Sequence, residues 1–140
     1  MTEEQKKKRD WLNRAFYAEK KLKALMHKYK CDKMRAERVT AVYGGVDKGK
    51  SDSRQNGTEM LLTLLADSKK EYDDYEQEYM SIRREIESKI KALDPVTYSI
   101  FSYRYLDYLS MEKIAVEMNY SYETIKNKHK IGLSSLKIYP

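Results

Sequence analysis

Cysteine, proline, glycine and long apolar runs are all scarce in this sequence, and each shortage excludes something. A single cysteine, Cys31, has no internal partner, so no disulfide framework exists and a reduced thiol is expected. The two histidines, His27 and His129, have no companion cluster at ligand spacing, so neither a metal nor any other cofactor is expected. No stretch approaches 18 apolar residues, which argues against a membrane span. The opening "MTEEQKKKRD" has no apolar run behind its charges, so it does not read as a secretory signal, and a cytoplasmic location is expected. Phenylalanine is nearly missing too, at two against thirteen tyrosines. An interior built on tyrosine must keep hydroxyls near water or near hydrogen-bond partners, which suits thin helical assemblies better than a thick core.

What the chain has in quantity is charge. Asp, Glu, Lys and Arg make up 36% of its 140 residues, with a net charge of +6, which favours a polyanion or an acidic surface as partner. Its few breakers are grouped: prolines stand only at 95 and 140, and four of the five glycines lie between Gly44 and Gly57. This punctuation predicts a basic N-terminal helix over 1–42, a flexible glycine-rich linker over 43–57, a long helix over 58–93 and a C-terminal module over 94–140.

Both long segments carry a heptad pattern. Trp11, Ala15, Ala18, Leu22, Leu25 and Tyr29 step by four and three. Leu61, Leu65, Ser68, Tyr72, Tyr75, Tyr79, Ile82, Ile86, then Lys89 or Ile90, and Leu93 keep the same alternation. A mean step of 3.5 puts these side chains in one seam, as in a coiled coil. The seam needs a cover, which is either the other helix folded back across the linker or the same helix of a second subunit. Two short seams bury little alone, so a homo-oligomer is expected. Residues 1–40 hold 13 basic and 6 acidic side chains, a balance of +7, and residues 59–93 hold 6 and 9, a balance of −3. Opposite signs favour pairing of the two helices.

The linker contains Gly44-x-x-x-x-Gly49-Lys50-Ser51, the letter pattern of a phosphate-cradling loop. That chemistry requires a strand before the glycines and a helix starting on the Lys-Ser pair. "DSRQNGT" follows where the helix would begin, "LLTLLAD" belongs to the heptad series, and nothing alternates strand with helix. The segment is therefore read as a connector, with Lys48, Lys50 and Arg54 able to meet phosphate non-specifically. With no nucleophile set beside a base and no paired carboxylates, an enzyme is not expected.

The C-terminal module is the most informative stretch. Asp94 suits an N-cap and Pro95 a first helical position, followed by an apolar stripe of Val96, Ile100, Phe101 and Tyr105. Ser110 caps a short helix with Met111, Ile114, Ala115 and Met118 on one face. Asn119 stands at a turn, where asparagine tolerates the left-handed conformation. Ser121 caps the last helix, which turns Ile125, Leu133, Leu136 and, as a packing residue, His129 inward. Neither cap completes a capping box, since Lys113 and Thr124 occupy the third positions. Small Ala115, turning Asn119 and branched Ile125 meet the packing needs of a helix-turn-helix, whose second helix would enter a major groove. Its outward residues are Tyr122, Glu123, Lys126, Asn127 and Lys130. Lysine neutralises phosphate, asparagine matches adenine, glutamate accepts from cytosine, tyrosine packs on a thymine methyl or a sugar, and Ser121 offers a helix start to phosphate.

From Leu93 to Leu136 the chain resembles the DNA-binding helix-turn-helix of sigma factor region 4, through "RYLDYLSMEKIAVEMNYSYETIKNKHKIGLSSL". Asn119 stands where that pattern often has glycine, and Lys113 where it is often acidic. With the basic first helix, the "GG…GK.S…NGTE" linker and the long charged helix, the whole layout resembles phage-encoded transcriptional regulators of the ArpU and RinA type. The resemblance implies an all-α fold of two long coiled-coil-like helices followed by a three-helix, region-4-like module. It further implies double-stranded DNA and RNA polymerase as partners, a bacterial host cell as location, and activation of late packaging and lysis genes as function. By position, Tyr122, Glu123, Lys126 and Asn127 correspond to the residues that read promoter bases in sigma region 4. The expectation from another class is a coiled-coil interaction protein that binds RNA polymerase or a partner regulator without reading DNA.

Overall fold

A computed structural model describes residues 1–43 and 52–139, and among them there are helices and no strand. In chain order they are α1 (Glu3–Leu12), α2 (Arg14–Tyr43), α3 (Asp52–Ile90), α4 (Pro95–Phe101), α5 (Met111–Met118) and α6 (Tyr122–Ser135). Helix α4 runs straight into a π-helical turn, Ser102–Leu106. The all-α expectation therefore holds. Two compact units arise, one from Met1–Glu19 with Tyr79–Pro140, the other from Lys20–Glu78.

The Lys20–Glu78 unit is an antiparallel hairpin of helices. On α2, Leu22, Leu25, Tyr29, Asp32 and Ala36 turn inward and the residues between them are exposed; on α3 the inward positions include Leu61, Leu65, Ser68, Tyr72 and Tyr75. These are the seam positions read from the heptads, and α2 extends the series through Asp32 and Ala36. The Ser68 hydroxyl donates to the Asp32 carboxylate. Lys28 Nζ lies 3.3 Å from Glu71 Oε2, and Lys21 Nζ lies 4.5 Å from the centre of the Tyr75 ring. Partners that descend along α2 as they ascend along α3 define the antiparallel pairing, so this seam is covered from within the chain. Exposed ion pairs of this kind contribute up to about 1 kcal/mol each, so the apolar seam supplies most of the cohesion.

The other unit joins both ends of the chain in one core. Leu12 and Ala15 meet Ile86 and Ile90 from the end of α3, and Ile100, Phe101, Tyr105, Ile114, Ile125, Leu133 and Leu136 from the C-terminal segment. Full burial of Ile90 decides between it and the half-buried Lys89 as the last inward position. The module expected to begin at residue 94 thus shares its interior with the first helix and the last turns of the third. Heptad spacing says that a face is covered but not by what, so this arrangement was beyond the pattern.

Other departures have local causes. The punctuation predicts a single helix over 1–42, but Asn13 interrupts it, with ψ at −4°. Arg14 Nε donates to the Trp11 carbonyl at 3.1 Å, taking up an acceptor of the first helix at that break. Helix α3 starts at Asp52, within the stretch read as linker, so "DSRQNGT" is helical after all. Weak propensity of Asn and Gly is a small effect summed over so long a helix. The expectation that no helix follows the Gly-Lys-Ser pattern is therefore corrected. The stretch before it, "RVTAVY", ends α2 instead of forming the strand such a loop requires. Gly44–Ser51 itself, with Lys48 and Lys50, lies outside the described residues, as does the side chain of Arg54.

The π-helical turn and the reversal after it were also unforeseen. Asp107 N–H donates to the Ser102 carbonyl at 3.1 Å, and Tyr108 follows with φ at 61°, unusual for a bulky residue. Arg83 secures this corner from α3: its Nη1 donates to the Leu106 carbonyl at 2.6 Å and reaches the Tyr79 and Tyr108 hydroxyls at 3.2 Å. The two hydroxyls are 2.7 Å apart. Tyrosine is used here for its polar tip as much as for its ring.

Gly132 lies in the middle of α6, where glycine is otherwise costly. A Cβ there would come within 2.6 Å of both the Phe101 ring and the Thr97 methyl. Gly132→Ala should therefore destabilise this unit by about 1–3 kcal/mol through overpacking, despite a helix-propensity gain of about 1 kcal/mol. Denaturant melts of the two proteins check this, and a stabilised variant would contradict the close packing of α4 on α6.

Candidate nucleic-acid interface

The sequence places a capping residue at the start of each of α4, α5 and α6, and each is used. Asp94 accepts from Thr97 N–H at 3.1 Å ahead of Pro95, and its hydrogen bonds with Thr97 hold its carboxyl below the ordinary carboxylate range. Ser110 accepts from Lys113 N–H at 3.3 Å, and Ser121 from Thr124 N–H at 3.1 Å. Between the two helices Asn119 takes the left-handed conformation, φ 57° and ψ 39°. Its N–H bonds Val116 O at 3.3 Å, and Tyr120 N–H bonds Ala115 O at 3.0 Å, the paired closure of a Schellman motif. A three-residue connection, Asn119 to Ser121, between two capped helices fixes the direction in which α6 leaves α5.

Along α6 the inward and outward faces divide as expected. Ile125, His129 and Leu133 are buried, as is Leu136 just after the helix. Tyr122, Glu123, Lys126, Asn127 and Lys130 are all exposed and form one ridge, with Ser121 exposed at its start. Lys126 Nζ rests 5.3 Å from the centre of the Tyr122 ring, so ammonium and ring are presented together. Glu123 stands in the first turn, where a carboxylate suits the helix dipole. The Ser121 hydroxyl is 2.7 Å from Thr124 Oγ1 and is engaged in capping, so a phosphate approaching there would share it.

Behind the ridge, His129 Nε2 lies 2.5 Å from the Tyr105 hydroxyl, with the Phe101 ring centre 5.1 Å away. Burial, followed by the charges of Arg104 and Arg9, lowers the His129 pKa to about 4, while burial pushes the Tyr105 hydroxyl up. The imidazole is therefore neutral near pH 7, and its Nε2 shares one hydrogen bond with the Tyr105 hydroxyl. It is a packing residue, as expected.

Two contributors escaped the sequence reading. Gln5 Nε2 donates to Ser134 Oγ at 2.7 Å and to the Lys130 carbonyl at 3.4 Å, and Lys8 Nζ donates to the Ser134 carbonyl at 3.3 Å. Both side chains are buried although polar. Helix α1 is anchored at its own start by a reciprocal capping box, Thr2 with Gln5. The signal was present: Thr2-x-x-Gln5 is a helix-start pattern, and Gln5, Lys8, Leu12 and Ala15 step by three, four and three.

Among the described residues, no group of three or more His, Cys, Asp or Glu could hold a metal ion, and no helix is long and apolar enough to cross a membrane. Compared with protein-family models, with curated proteins and with solved structures, the chain has no match.

The buried imidazole sets a pH dependence. Its folded pKa lies below the ordinary 6.5, so the unfolded chain takes up a proton first on acidification. The stability it contributes is complete above about pH 6.5 and is lost as pH falls toward 4, by roughly 3 kcal/mol at most. Denaturant melts between pH 7 and 4 should show this loss, and His129→Gln should flatten that part of the profile.

Proposed function

We propose that this chain is a sequence-specific, double-stranded-DNA-binding transcriptional regulator of the ArpU and RinA type, an activator of phage late genes. In this reading α5 and α6 form a helix-turn-helix like that of sigma factor region 4. Helix α6 enters the major groove, Lys126 and Lys130 neutralise phosphates, Asn127 and Glu123 hydrogen-bond base edges, and Tyr122 packs on a thymine methyl or a sugar. The observation that carries the reading is the exposed ridge Tyr122, Glu123, Lys126, Asn127 and Lys130, set opposite buried Ile125, His129 and Leu133 on a helix launched by the Asn119 turn. The positive balance of the chain supports it. A symmetric pair of copies would read half-sites spaced by one or two turns of the duplex.

A second reading has its own support. The hairpin of α2 and α3 exposes Met34, Met60, Leu62 and Leu64, each more than half open to solvent. Apolar side chains on so charged a hairpin suit a protein partner such as RNA polymerase, with no DNA readout required.

Duplex binding at moderate salt separates the two. Lys126→Ala should weaken binding to all sequences alike and lower the salt slope by about one. Asn127→Ala should relax preference at one base pair, by about 1–3 kcal/mol of discrimination. Identical behaviour of the two variants, or capture of RNA polymerase by a chain with no duplex affinity, would favour the second reading.

A further inference from the structure

Helix α1 does more than fill the back of this unit. Gln5 reaches the carbonyl of Lys130, the last lysine of the exposed ridge, and the hydroxyl of Ser134 one turn further along α6. Lys8 holds the Ser134 carbonyl, and the charge of Arg9 bears on His129 in the middle of the same helix. The start of α1 is thus fixed alongside the second half of α6, beginning about one helical turn after Lys126.

On that anchored helix, Lys6 and Lys7 are exposed. Lys6 pairs with Glu3 at 3.5 Å, across a contact whose partners are 50% and 85% open to solvent, so the pair is weak and readily exchanged. Lys7 follows directly. Anchoring matters because a long side chain on a fixed helix gives up less freedom on contact than one on a loose tail.

We propose that α1 is a second phosphate-contacting element of this unit: Lys6 and Lys7 grip the duplex backbone beside the segment that α6 reads. The proposal rests on the reading of α6 as a DNA ridge and adds a surface to it. Its partner is the phosphate backbone of double-stranded DNA, recognised by charge and carrying no sequence preference.

The test uses the full chain and a Lys6→Gln, Lys7→Gln double variant, with Lys126→Ala as reference. Binding to a selected duplex and to a scrambled one is measured across a salt series. The expected result is weaker binding of the double variant to both duplexes, roughly tenfold near physiological salt. The slope of log affinity against log salt should fall by about two, with base preference unchanged. Thermal melts should match, since both lysines are exposed. An unchanged slope in the double variant, alongside a reduced one in Lys126→Ala, would overturn the proposal and leave the α6 reading intact. Absence of duplex binding by the unaltered chain would overturn both.

Discussion

The seating of α6 on α4 is the contact on which the candidate site depends. Gly132 lets the Phe101 ring and the Thr97 methyl approach the α6 backbone, and His129 is hydrogen-bonded to the Tyr105 hydroxyl a turn earlier. Together they fix the rotation of α6 about its axis. Once Ile125, His129, Gly132 and Leu133 are committed inward, a helical period of 3.6 leaves Glu123, Asn127 and Lys130 no direction but outward. The outward chemistry is thus a consequence of inward packing.

The polar groups buried behind the α6 ridge and at the corner before α5 are kept in register with that packing by being neutral or hydrogen-bonded. Tyr105 and His129 satisfy one another as uncharged partners, which avoids the cost of an unpaired ion in the core. Arg83 is charged, but it meets a carbonyl and two hydroxyls and so ties α3 to the corner before α5. Charge left over is placed where water can reach it, on the α6 ridge and on the start of α1.

Much of this was legible in the sequence because it is local or periodic. Asp94, Ser110 and Ser121 announce helix starts through their own side chains, and Asn119 announces a left-handed turn through its tolerance of positive φ. The seam from Leu61 to Ile86 follows from spacing alone, whereas only burial chooses Ile90 over Lys89. What stayed hidden is long-range or depends on exact fit. Nothing near Gln5 names Ser134 as its partner, and nothing near Gly132 names Phe101. The π-helical turn at Ser102–Leu106 is stabilised by contacts from α3, so no residue within it is diagnostic. The helical start at Asp52 shows the opposite failure, in which composition suggested a loop and the length of the helix prevailed.

The hydroxyl-to-carboxylate contact between Ser68 and Asp32 has a consequence for the hairpin that holds it. Sliding α2 along α3 by one heptad would preserve nearly every apolar encounter. It would also carry Asp32 against Leu61 or Tyr75 and Ser68 against Leu25 or Val39, stranding a carboxylate at a greasy seam. Side-by-side association of two α2 helices in the same direction would set Asp32 against its own copy, charge against like charge. One short polar pair therefore works as an alignment pin, selecting a single stagger and a single antiparallel mate from the several that a repeating seam would accept.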